Sequence, residues 1–362
     1  MLFVACPSSI LHLKKYLLIY SQTMKKTLLT LMAAFFALQM AAHALQAGAL
    51  IAVKGMGGYH LMCDARSESA VVRLRQLKRR ERKPLAVMMG SLAEAKLHVT
   101  GGEDEWTLLA SQARPITLLR KRTKDDRPSD SPQPAAPLAE GIAPGIPYLG
   151  VMLPYTPLHQ LLLDACAMPL VATSANGRGS PILIECDAVV RELGGEIDGI
   201  LDHNRPILHP CDDSLVQWAG GRRQTLRLAR GYAPCTPSLK LAVKVPLLAV
   251  GAQQKNQLAL AFGRQRIYSP YIGDLHSLPM QEHFEQTLAT FSRSLRSQTR
   301  SSGLGSPPGL SQPPVGQGLL PRAQRHPYRG AAPSRPPAGG DGRAQHHGPC
   351  AGGCLRRHRP WG

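Results

Sequence analysis

Only 5% of this 362-residue chain is aromatic, too little for the stacking platforms that bind single-stranded nucleic acid. No two of its eight cysteines, at 6, 63, 166, 186, 211, 235, 350 and 354, are spaced C-x-x-C, so zinc-finger spacing is missing. Scattered in this way, they suit a reducing compartment better than a disulfide scaffold. No apolar run is long enough to promise a membrane span. Leu28 to Leu38 follows Met24-Lys25-Lys26 and precedes Ala42-His43-Ala44, and so imitates a secretory signal with a basic start, a short apolar run and a small-x-small site. Acids are missing from residues 1–46, which hold four lysines, and lysine is missing from residues 294–362. These gaps account for most of the formal charge of +19: residues 1–46 supply +4 and residues 291–362 supply +10, from eleven arginines and one aspartate, leaving +5 for the 244 residues between. The central part is only mildly basic, so its charge does not call for a nucleic acid.

What the central part does have is a dense opening. Ala49 to Val53 reads as a buried strand, and Gly55, Gly57 and Gly58 follow at once, where backbone must turn tightly or let a ligand approach. Val71, Leu74 and Leu77 then recur at helical spacing within Glu68 to Lys78. That helix ends in Lys78, Arg79, Arg80, Arg82 and Lys83, before Pro84 forces Leu85 to Met89 into a second apolar strand. Alone, such a run is most often a solvated helix end whose cations answer the helix dipole. Two further pieces turn it toward an anion site. Val171 to Thr173 is an apolar strand that stops at Ser174, Ala175, Asn176 and Gly177, and Leu226 to Tyr232 closes on Arg227, Arg230 and Gly231. Strand ends that carry donors are where open α/β sheets place ligands.

Taken together, K-G-M-G-G-Y-H-L-M-C-D-A (Lys54 to Ala65), Leu74 to Met88, P-G-I-P-Y-L-G-V-M-L-P-Y-T-P-L-H-Q-L-L-L (Pro144 to Leu163), Thr173 to Asn176, Cys211-Asp212-Asp213-Ser214 and Arg230 to Pro234 resemble the YrdC-like domain of the HypF family, the hydrogenase-maturation carbamoyltransferases. Enzymes that make threonylcarbamoyl-adenylate share the basic cluster and the T-S-A-N turn, but not the G-G-Y-H-L-M-C-D-A or C-D-D-S segments. Leu248 to Ala261 and Tyr271 to Leu278 resemble the opening of the HypF family's second catalytic domain, which has the actin-like ATPase fold. The resemblance covers about residues 41–293. It implies an α/β fold: a YrdC-like twisted open sheet with helices over 41–237, then an incomplete actin-like fragment over 246–293. Residues 1–40 do not resemble the family. Cleavage after Ala44 would cut into the helix that leads to its first strand, which argues against export. The family's acylphosphatase-like and zinc-finger parts have no counterpart here, so the chain reads as N-terminally truncated relative to the family.

Between these motifs the pattern alternates. Helices are expected at Ser91 to Leu97, Asp104 to Gln112, Thr156 to Leu163 and Asp187 to Leu193, and strands at Pro115 to Leu119, Leu149 to Leu153, Gly199 to Leu201, Leu215 to Trp218 and Gln224 to Leu228. Thr123 to Pro147, rich in Pro, Ser and Asp, reads as an exposed loop. Leu247 to Gly251, Gln257 to Phe262 and Gln265 to Ser269 read as three short strands, the last two joined at Gly263-Arg264 as a hairpin, with a helix from Met280 to about Ser292. Residues 294–362, dominated by Gly, Pro, Ser, Ala and Arg, read as a disordered tail, and the abrupt change of composition suggests out-of-frame translation. His346, His347, Cys350 and Cys354 could be read as a metal clip, but no element fixes them, and no metal site is assigned.

The resemblance implies ATP and Mg²⁺ as cofactors, carbamate or carbamoyl phosphate as substrate source, and carbamoyl-adenylate as product. It implies a HypE-type acceptor protein for the later transfer, with no membrane and no specific nucleic acid, in the cytoplasm. Lys54, Lys78, Arg80 and Lys83 are the candidate phosphate and carbamate contacts, with Leu77 standing where the family commonly has arginine. Ser174 and Asn176 would orient the nucleotide, and Arg227 and Arg230 would close over the adenylate. Thr156 and His159 lie on the family's substrate side, although His159 reads equally as a packed helical histidine. Asp212, Asp213 and Ser214 read first as a turn and only second as Mg²⁺ contacts. Lys255 and Asn256 match the second domain, whose site this fragment is too short to assemble. Three other readings compete: threonylcarbamoyl-adenylate synthesis for tRNA modification, an RNA-binding module, and an inactive product of a broken gene.

Overall fold

In a computed structural model, the structure describes residues 28–29, 31–123, 126, 136–177 and 179–301. A helix, α1 (residues 31–46), leads into the strands β1 (Ile51–Lys54) and β2 (Tyr59–Asp64). Then come α2 (Glu68–Lys78), β3 (Ala86–Met88), α3 (Leu92–His98), β4 (Val99–Thr100), α4 (Glu103–Ala110), β5 (Ile116–Lys121), β6 (Tyr148–Met152), α5 (Pro157–Cys166), β7 (Leu170–Ser174), α6 (Cys186–Leu193), β8 (Gly199–Leu201), β9 (Leu215–Ala219) and β10 (Arg222–Arg227). The helix ends follow from local chemistry. Ser67 caps α2 by accepting from Ala70 N, and Arg79 closes it in the left-handed region at φ 46°. Ser91 caps α3, and Thr156 caps α5 with Pro157 in its first turn.

All ten strands form one mixed sheet in the order β10-β9-β5-β6-β3-β7-β2-β1-β8, with β4 on β5. Alternation along β2 sends Tyr59, Leu61 and Cys63 to one face and Met62 to the other. The first face carries the larger core, where Leu74 of α2, Leu109 of α4 and Leu119 of β5 are fully buried. The second packs Leu38, Ala42 and Leu45 of α1 and Leu162 of α5 over Val53, Met62 and Met152. Each such fully buried leucine contributes about 1.5–3 kcal/mol.

The sheet is strongly coiled, and this positions the site. Four strands separate β2 from β9, which in a flat sheet means about 24 Å. Yet His60, at the start of β2, lies 2.8 Å from Asp213, two residues before β9. Accumulated strand twist brings the two flanks of the sheet together around a concavity.

The strand β11 (Ser238–Ala249) pairs antiparallel with β12 (Ala259–Tyr268), and α7 (Leu278–Ser301) follows. This corrects the expectation of three short strands. Gly263, at φ 53°, lies inside β12 opposite Val243, where the register shifts, so Gly263-Arg264 makes a bulge and not a hairpin turn. The helix α7 also runs through residues 294–301, past the point where disorder was expected; residues 302–362, with the histidines and cysteines of the clip, lie outside the described residues. The loop expected to be exposed before β6 buries Ile142 and Ala143, and residues 124–125 and 127–135 of it are not described. No helix among the described residues is long and apolar enough to cross a membrane.

Candidate functional site

The end of α2 and the end of β7 meet. Lys78 Nζ donates to Ser174 O at 2.8 Å, Asn176 O at 2.7 Å and Asn176 Oδ1 at 2.5 Å. Ser174 Oγ donates to Asn176 Oδ1, and Asn176 Nδ2 to Ser180 O. All three ammonium protons are thus spent on the T-S-A-N turn, and Lys78 shapes the site from beneath. Burial, then the neighbouring Arg80, pushes Lys78 down to about 7, against the three acceptors that favour its ammonium form.

Around this turn stand cations with little to neutralise them. Among the described residues the Arg80 guanidinium makes one hydrogen bond, from Nη1 to Thr173 Oγ1 at 3.2 Å. Burial, then Arg227, lowers its pKa. Lys83 is exposed and its ammonium has no hydrogen bond or ion pair among the described residues; burial of its stem, then Arg80 and Arg227, lowers it too. Arg227 reaches Asp213 O at 3.4 Å and stacks over Tyr271, 5.5 Å from the ring centre. The carboxylates acting on these groups are Asp212 and, at Lys83, Asp274. Like charges close enough for Arg227 to depress Arg80, and for both to depress Lys83, are an arrangement completed by a polyanion.

Asp213, next to Asp212, faces the other way into a closed polar cluster. Its Oδ2 accepts from His60 Nε2 at 2.8 Å and its Oδ1 from Arg230 Nε at 2.6 Å. Burial raises its pKa, but His60 and Arg230 outweigh this and hold the carboxyl well below the usual range. Arg230 donates from Nη1 to Ala113 O and from Nη2 to Arg114 O, and its guanidinium lies 3.4 Å from the Tyr155 ring centre. His60, Tyr155 and His159 pack edge to face, with ring centres 6.2, 5.9 and 4.6 Å apart.

Residues 43–229 match the Sua5_yciO_yrdC family, described as telomere recombination. The chain belongs to that family. Residues 242–310 match a second pattern, the HypF Kae1-like domain. Among curated relatives, carbamoyltransferase HypF of Synechocystis sp. is 44% identical over 257 residues, covering 71% of this chain and 32% of the relative. Carbamoyltransferase HypF2 of Cupriavidus necator is 40% identical over 269 residues, covering 69% and 32%. The crystal structure of full-length HypF in its phosphate- and nucleotide-bound form superposes with a TM-score of 0.66 at 36% identity, covering 72% of this chain and 39% of that one. Human threonylcarbamoyl-AMP synthase is more distant, 31% identical over 141 residues, 39% of this chain. Similarity to HypF therefore extends over both segments, and the chain spans about a third of the length of these HypF relatives.

Within this Sua5–YciO–YrdC domain the structure brings Lys78, Arg80, Lys83, Ser174, Asn176 and Arg227 together and commits the other candidates elsewhere. Lys54 pairs with Asp202 at 3.0 Å and donates to His203 O. Arg230, only 9% exposed, is spent on Asp213 and two carbonyls. Thr156 accepts from His159 N as the α5 cap. Leu77 packs against the larger core, so its lack of charge takes nothing from the cation group. Lys255 N donates to Asp274, and Asn256 is buried, donating to Val250 O and Ala252 O within its loop. Sequence reasoning missed the roles of His60, Tyr155 and Asp213. Alternation along β2 could have placed His60 on the Met62 face, but nothing in the order of residues announces a partner 153 positions away.

Proposed function

We propose that the chain binds ATP on this cation group and forms carbamoyl-adenylate. A carbamate oxygen attacks the α-phosphorus; the new O–P bond replaces the bond to the bridging oxygen of the β-phosphate, and pyrophosphate leaves with that electron pair. No protein nucleophile enters. Arg80, Lys83 and Arg227 neutralise the triphosphate and the charge that builds on the leaving group, while the Ser174–Asn176 turn, stiffened by Lys78, supplies short polar contacts. Mg²⁺, when bound, would supply further neutralisation of the triphosphate charge. A hard cation that keeps most of its waters needs one or two protein oxygens, and Asp212 is the carboxylate that faces the group.

The observation that carries this reading is the convergence of three lightly neutralised cations on the Ser174–Asn176 turn. Similarity to HypF, including a phosphate- and nucleotide-bound structure, supports it. We assign adenylate formation to the described residues and no transfer step, because Asn256 is tied into its own loop. A HypE-type acceptor protein is the partner proposed for that transfer, and the free thiols of Cys63, Cys166 and Cys186 suit a cytoplasmic setting. The test is exchange of labelled pyrophosphate into ATP by the folded chain, supplied with carbamate, with and without threonine. Carbamate-dependent exchange without threonine is expected. Exchange only with threonine would hand the chemistry to threonylcarbamoyl-adenylate synthesis, and none in either condition would defeat the reading.

A further inference from the structure

The two halves of α1 have opposite characters. The C-terminal half is part of the fold: Leu38, Ala42 and Leu45 are buried in the second core, and Gln46 Nε2 donates to Cys166 O at 3.1 Å. Export processing after Ala44 would strip Leu38 and Ala42 from that core. The N-terminal half is uncovered. Every residue from 31 to 37 is exposed and none is polar, and Leu29, Leu31, Met32, Phe35, Phe36 and Met40 are each more than half exposed. Polar side chains return only at Gln39, His43 and Gln46, where the helix meets the body. Large apolar side chains gathered in water mark a surface that something else covers.

Two observations say what covers it. The first is the distribution around the helix. At about 100° per residue, Leu31, Met32, Phe35 and Phe36 share one side, and Ala33, Ala34 and Ala37 the other. Neither side is polar, so a groove on a partner protein would hide one and leave the other wet, whereas hydrocarbon accepts the large side and tolerates the small one. Residues 31–37 rise only about 10 Å, against about 30 Å of bilayer hydrocarbon, so they can sink into one face of a membrane but not cross it. The second observation is charge. Residues 1–46 hold Lys14, Lys15, Lys25 and Lys26 and no acid, so the sequence leading into the apolar turns attracts an anionic surface and holds nothing that repels one.

We propose that α1 docks the chain on the surface of a membrane rich in anionic lipid. The side carrying Leu31, Met32, Phe35 and Phe36 sinks among the acyl chains, the alanine side faces the headgroups, and the lysines that precede the helix meet the lipid phosphates. Burial of Leu38, Ala42 and Leu45 ties this anchor to the folded body. The docking sets aside the expectation of no membrane taken from the family, whose matched region begins at residue 43, after the exposed turns. It does not depend on the adenylate reading.

The test is co-sedimentation of the full chain with vesicles of phosphatidylglycerol and, separately, of phosphatidylcholine. Binding at least about tenfold tighter to phosphatidylglycerol is expected, weakening as salt rises. Met32→Glu with Phe36→Glu alters two exposed side chains, and is expected to leave the unfolding midpoint unchanged while cutting vesicle binding at least about a hundredfold. Lys25→Ala with Lys26→Ala is expected to cut binding to phosphatidylglycerol about tenfold or more. Equal binding to the two vesicle types would overturn the anionic preference. A folded chain that sediments with neither, or that binds as well after Met32→Glu with Phe36→Glu, would overturn the docking itself. So would a chain that self-associates without binding lipid and becomes monomeric on those two substitutions, which would assign the apolar turns to a second copy.

Discussion

The cation group and the buried cluster of Asp213, Arg230, His60, Tyr155 and His159 are neighbours built from adjacent aspartates, yet they differ in how their charges are answered. Asp212 faces like-charged side chains, among which Arg227 depresses Arg80 and both depress Lys83; Asp213 faces a buried network in which it is paired with Arg230. The first arrangement loses electrostatic energy until a polyanion arrives. The second is complete in its charges and incomplete only in neutral hydrogen bonds. The difference teaches that charge density alone does not mark a ligand contact: Arg230 is as cationic as Arg80, but its donors are already taken.

The sharpest way to break this contrast is Arg230→Ala. It strands the Asp213 carboxylate in a dry site with only His60 beside it, and unfolding in denaturant should show a loss of about 3–5 kcal/mol. A loss under about 1 kcal/mol would put Arg230 back among the ligand contacts. Of similar size is an acid dependence. The folded pKa of His159, about 3, lies below its ordinary 6.5, so between these values the unfolded chain binds more protons. That contribution is whole above pH 6.5 and is lost as pH falls toward 3, while Asp213 adds its own loss only below 3.8. His159→Phe should flatten stability against pH between 6.5 and 3 by about 5 kcal/mol; an unchanged slope would mean that His159 titrates alike in the folded and unfolded chain. Smallest is the contact between segments. Ser277 Oγ donates to Gly179 O beside the site, and Ser277→Ala should cost about 1 kcal/mol, with a fall in ATP affinity only if this contact helps seat Tyr271 under Arg227.

Much of the fold was legible because its signals are local. Ser91, Thr156 and Pro157 mark helix starts whatever surrounds them, and the α2 stripe of Val71 and Leu74 needs only a core to face. Residues 238–268 were misread because Gly263 is permissive in a bulge as in a turn, and only pairing with a long partner decides between them. In the site, the cations were visible as a run, but their fates were not. Whether Lys54, Lys78 or Arg230 is free depends on Asp202, Ser174 and Asp213, brought near by sheet coiling that leaves no periodic trace in the chain.

The most direct test of the central claim compares the unaltered chain with Lys83→Ala, measuring ATP affinity and unfolding free energy on the same samples. The Lys83 ammonium has no hydrogen bond or ion pair to lose among the described residues, so stability should stay within about 0.5 kcal/mol, while ATP affinity falls about tenfold or more, with a shallower dependence on salt. Unchanged affinity in a folded Lys83→Ala protein would contradict the account and remove the triphosphate from this end of the sheet.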